Sequence, residues 1–145
     1  MKSFKVLAFT ALLAIAAVGC GKVEKILPKK DGMWKATSIE YTSYVNSAAD
    51  STWTENPNDI WTFKKDGTGT FNDVAADTTY GITWSVDDDG GEVTVCADFF
   101  GAGASICFKS EVLESEKDKQ VWNYSDQAAG DTEWNESKTT LERVK

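Results

Sequence analysis

Glu92-Val93-Thr94-Val95-Cys96-Ala97-Asp98-Phe99-Phe100-Gly101-Ala102-Gly103-Ala104-Ser105-Ile106-Cys107-Phe108 carries two strand-like runs around a short, glycine-containing link. Val93, Val95, Ala97 and Phe99 occupy alternate positions, the period of a strand with one buried face. A tight hairpin centred between Gly101 and Ala102 sets opposite each other the positions whose numbers sum to 203, as 96 and 107 do. Val95 then meets Phe108, Ala97 meets Ile106, and both cysteines turn to the outer face. Opposed residues of an antiparallel pair stand about 4.5 to 5.5 Å apart at Cα, within reach of a disulfide. A Cys96–Cys107 bond is therefore expected. Free thiols used in redox or metal chemistry are the competing reading, but the chain has no CxxC motif and no histidine to complete such a site.

Working outward from this hairpin, short strand signals recur. Residues 34–42 are aromatic, β-branched and alternating; 60–65 run into Asp66-Gly67, a strong hairpin turn, and 68–72 follow. Residues 80–86 reach Asp87-Asp88-Asp89-Gly90-Gly91 before 92–99, and 105–113 pass through a charged turn into 120–124. A last strand is expected over 137–144, with 43–59 and 125–136 as long loops. The expectation is an all-β fold, an eight-stranded antiparallel up-and-down barrel. A two-sheet sandwich of similar strand count would need longer crossovers, and only the two loops just named are long. An eight-stranded barrel is either filled by side chains or holds one small ligand.

The N-terminus has Lys2 and Lys5, an apolar stretch over 6–18 broken only by Thr10, then Gly19 and Cys20. Those are the n-region, h-region and cleavage site of a secretory signal. Thirteen residues of helix rise only about 20 Å against roughly 30 Å of hydrocarbon, so a permanent membrane span is the weaker reading. Ala17-Val18-Gly19-Cys20 resembles the lipobox of bacterial lipoproteins, although Ala17 stands where that family usually has leucine. The resemblance implies cleavage after Gly19 and acylation of Cys20, palmitate included, as the anchor. Gly21 in place of aspartate implies outer-membrane sorting. The expected organisation is a signal peptide over 1–19, a lipidated N-terminus and flexible tether over 20–30, and one barrel domain over 31–145.

Processing removes two of the fifteen basic side chains and no acid, leaving thirteen against 23, a net charge of −10 on 126 residues. A surface so acidic argues against nucleic acid as a partner. One domain of this length buries about two thirds of its unfolded surface and is stable alone.

Directly after the tether, Gly32-Met33-Trp34 is similar to the Gly-x-Trp motif that opens the first strand of lipocalins. In that family an arginine of the last strand covers the tryptophan at the closed end of the barrel, and Arg143 in Thr140-Leu141-Glu142-Arg143-Val144 stands in a compatible place. The resemblance covers most of 31–145 and implies a lipocalin-like domain. The loop and helix that classical lipocalins carry before their last strand are reduced here to 125–136.

Without histidine there is no Ser-His-Asp or Cys-His arrangement and no imidazole metal site, and no glycine-rich phosphate loop precedes a helix. No catalytic residue, metal or cofactor is expected, and the protein is read as a non-enzyme. Asp87 to Glu92 is read as a solvated hairpin turn rather than a calcium loop, since its spacing fits no EF-hand. Trp34, Trp61, Trp84 and Trp122 fall within strands and are assigned to the core. Trp53 and Trp134 fall in the two long loops; if these share one end of the barrel, their indoles flank its mouth as ligand contacts. The functional expectation is a membrane-anchored protein binding a small apolar or amphipathic ligand. Two other readings stand: an envelope interaction or structural module with a filled barrel and, more thinly supported, a subunit of a surface glycan-uptake system.

Overall fold

A computed structural model describes residues 22–101 and 103–145, so the signal segment and Cys20 lie outside the described residues. A short helix, α1 (Lys22–Ile26), leads through a one-turn bend at Lys30–Gly32 into nine antiparallel strands. These are β1 (Met33–Val45), β2 (Ala48–Glu55), β3 (Ile60–Phe63), β4 (Thr68–Asp73), β5 (Thr78–Val86), β6 (Glu92–Ala97), β7 (Ile106–Ser115), β8 (Lys119–Ser125) and β9 (Glu133–Arg143).

All strands but β2 close into an eight-stranded antiparallel barrel. Each pairs with its sequence neighbour from β3 to β9, and β1 closes the ring between β9 and β3. The β6–β7 register is that of the quoted hairpin: Val95 opposes Phe108, Ala97 opposes Ile106, and Cys96 and Cys107 are joined by a disulfide on the outer face.

β2 corrects the expected loop over 43–59. β1 runs on past the barrel wall to Val45, turns at Asn46 and Ser47, both with positive φ, and β2 returns along it. Together with the first half of β9 these strands form a ribbon rising above the rim, with β2 on its free edge. The loop expected over 125–136 is likewise shorter, because β9 begins at Glu133.

The expected tether is also corrected over 22–30. Val23, Ile26 and Leu27 share one side of α1 and its exit and are buried, Val23 and Leu27 completely, in one core with Trp34, Phe63 and Leu141. A segment carrying three apolar side chains at i, i+3 and i+4 next to an open barrel end gains more by plugging it than by remaining solvated. Among the described residues no helix is long and apolar enough to cross a membrane.

Candidate functional site

The barrel has two unlike ends. At the plugged end, Trp34 is fully buried and its indole N–H donates to the Leu27 carbonyl at 2.9 Å. The Arg143 guanidinium carbon stands 4.1 Å from the Trp34 ring centroid. Its N–H groups donate to the carbonyls of Lys117, Lys29 and Ile26, and Asp118 lies 3.3 Å away. Burial pulls this guanidinium down from its ordinary value and Asp118 pushes back up. Gly32 sits here with φ of +65°, and a Cβ on it would lie 2.0 Å from the Phe63 carbonyl oxygen. Arg143 thus ties the last strand to the N-terminal plug while covering the first strand's tryptophan, and this end is sealed.

Above the plug, Phe63 packs edge-on against Trp84 and Trp122, and Trp84 donates its N–H to the Lys64 and Thr68 carbonyls of the turn below. Higher still, the interior stops being filled. Trp61, Phe71 and Tyr80 oppose one another across β3, β4 and β5, so their rings share the inner face. Ring contacts of 4.4 to 6.1 Å carry the series on through Phe99 and Phe108 to Tyr124. Six rings from successive strands or their ends therefore line the inside of the wall from β3 to β8.

Within this belt lies a cavity of about 310 Å³, its walls made by Trp61, Val95, Phe108, Trp122 and Tyr124 on one side and by Ser137, Thr139 and Leu141 on the other. No charged side chain is among them. The Trp122 Nε1 is buried and has no hydrogen-bond partner among the described residues. Phe108 is 37% exposed in spite of facing inward, which places this part of the lumen open to solvent. The volume is at the small end of the range of ligand pockets, about 300 to 1,000 Å³.

The ribbon continues the lumen wall. Tyr41 and Ile39 oppose Ser137 and Thr139, two cavity residues, so the odd-numbered side chains of β1 there face the lumen side. Trp53 opposes Tyr41 and stacks on it at 5.1 Å while remaining 45% exposed. Burial, then Glu55 and Asp59, hold the Tyr41 phenol above its ordinary value. Trp134 opposes Tyr44 instead, on the outer face of the same ribbon, where it stacks at 4.8 Å and is 9% exposed beside Asp126 and Asp131 of the β8–β9 link. The two tryptophans therefore do not flank one mouth: alternation along β1 and β9 sends them to opposite faces, and only Trp53 stands on the lumen side.

No protein-family model and no curated protein matches this chain. A solved structure, described as a multidomain protein including DUF1735 from Bacteroides ovatus, is similar over 78% of this chain at 13% identity and a TM-score of 0.33. This chain spans 57% of that one's length, and a likeness so distant carries no functional argument.

The aromatic belt was missed in the sequence because its members lie on six different elements, and only the register places them at one height. Its signal was present in the pairings that the turn at Asp66-Gly67 and the cysteines imply. The Asp87 to Glu92 turn is closed on itself, the Asp87 carboxylate accepting the Glu92 backbone N–H at 3.0 Å.

Proposed function

We propose that the protein is a lipid-anchored, lipocalin-like envelope lipoprotein that holds a small apolar or amphipathic molecule in the upper half of its barrel. The observation that carries this reading is the aromatic-lined cavity, without a charged side chain on its wall. Burial of ligand surface supplies the affinity, at about 25 cal/mol per Å² of apolar area. The Tyr124, Ser137 and Thr139 side chains on the wall supply the hydroxyl groups that can set orientation. The hollow upper lumen favours this reading over a wholly filled structural module. Acylation of Cys20, cleavage after Gly19 and outer-membrane placement belong to the same proposal, and the plug makes them coherent: α1 begins two residues after Cys20, so the sealed end sits next to the lipid and the mouth is turned away. The reading is of a binding protein without catalysis.

Native mass spectrometry of the protein lacking residues 1–19, together with displacement of a fluorescent apolar probe, tests the lumen. A stoichiometric co-purifying molecule or one saturable probe site is expected. Absence of both overturns ligand binding. Mass analysis of the protein purified from bacterial membranes tests the anchor: a diacyl or triacyl mass on Cys20 is expected, and an unmodified N-terminus overturns it.

A further inference from the structure

The charges of this protein are not spread evenly over the barrel. The segments forming the ribbon and rim carry eleven carboxylates: four over 39–59, two over 72–79, one over 97–106 and four over 124–139. The same segments hold a single base, Lys138, and it is ion-paired with Glu40. The rest of residues 22–145 is balanced, with twelve basic side chains, Arg143 and the lysines of the plug among them, against twelve carboxylates. Below the rim, the cavity wall has no cationic side chain that could receive an anionic head group.

We propose that the molecule held in the lumen is cationic: an apolar or aromatic body seated among the rings, with an ammonium or guanidinium head lying at the acidic rim. This rests on the ligand-binding reading above and names the charge class that the site accepts. Two features act together. Glu55, opposite the lumen-side Ile39, and Asp59 stand by Tyr41 at a mouth with aromatic, low-dielectric walls, which focus their field into it. The exposed faces of Tyr41 and Trp53, stacked on one another above the cavity, offer a cation a ring surface next to Glu55 and Asp59. A free fatty acid or other anionic amphiphile would meet net negative charge at the rim and no cation below it.

Three fluorescent amphiphiles of equal chain length, bearing quaternary ammonium, neutral polyol and sulfonate heads, are titrated into the protein lacking residues 1–19. At low ionic strength the ammonium probe is expected to bind at least about tenfold tighter than the sulfonate, with the gap shrinking several-fold in about 0.5 M salt. Glu55→Gln combined with Asp59→Asn, which keeps an acceptor for the Val74 N–H, is expected to narrow the preference at unchanged melting temperature. Glu24→Gln with Asp88→Asn, at the plugged end, is expected to leave it intact. Equal affinity for all three probes, a sulfonate preference, or a preference indifferent to the rim variants overturns the inference while leaving a ligand-binding lumen. Failure of every probe to bind overturns the ligand reading itself.

Discussion

Arg143 is a charge taken almost wholly out of water, and isolated burial of that kind is costly unless each donor is met. Here three carbonyls, one carboxylate and an indole face meet it. Arg143→Lys keeps the charge but cannot reach three carbonyls with a planar fork. A loss of about 2 to 4 kcal/mol is expected from urea unfolding, since buried acceptors are left unpaired. Gly32 is the companion case. Gly32→Ala meets both a positive φ and the Phe63 carbonyl oxygen, and about 2 to 4 kcal/mol of destabilisation is expected in the same assay. Asp66 gives a pH dependence of known sign: the Thr68 hydroxyl and backbone N–H hold its carboxyl below the ordinary carboxylate range. Its contribution is complete above about pH 4 and is lost as pH falls through the lowered folded value. Thr68→Val removes the hydroxyl and is expected to flatten that part of the acid-side decline in the urea midpoint.

Elements differ in how openly the sequence announces them. The β6–β7 hairpin was legible to the residue because alternation and the cysteine pair impose one register, and a one-residue slip would put Val93, Val95 and Ala97 in solvent. β2 was not legible: all its residues are exposed, so no inside-outside period marks it, and only Asn46 at the turn hinted at a hairpin. The plug was hidden for a different reason. Five helical residues are too few for a periodic signal, although Val23, Ile26 and Leu27 have the helical spacing. Leu27→Ala is expected to cost about 2 to 5 kcal/mol, the range for a fully buried leucine; a surface-like effect below about 0.5 kcal/mol would restore the free tether. The disulfide acts at the other end, bracketing the link that carries Phe99 and Phe100 at the rim. Replacing both cysteines by serine opens a loop of sequence separation 11, and a loss of about 2 to 4 kcal/mol is expected. Hydrogen exchange is expected to rise around 98–105 and to stay low around Trp34.

At the scale of the whole molecule, the barrel is closed and balanced in charge at the end where α1 packs, and hollow, aromatic and acidic at the other. The sequence disclosed the closed end through Gly32, Trp34 and Arg143, since one local motif and one terminal residue suffice to locate it. It concealed the hollow end, because a cavity is what several strands leave unfilled and no single segment encodes it. Trp134 was misplaced because the face it takes depends on the parity of β9, which a polar stretch does not reveal. The central claim is that the space bounded by Ser137, Thr139 and the aromatic belt holds a ligand, and it can be closed from within. Ser137→Phe places a ring in that space without touching the plug or the disulfide. Calorimetric titration with the ammonium probe is predicted to give one site per chain for the parent protein and none for Ser137→Phe at an undiminished melting temperature; undiminished binding by this variant would contradict the account.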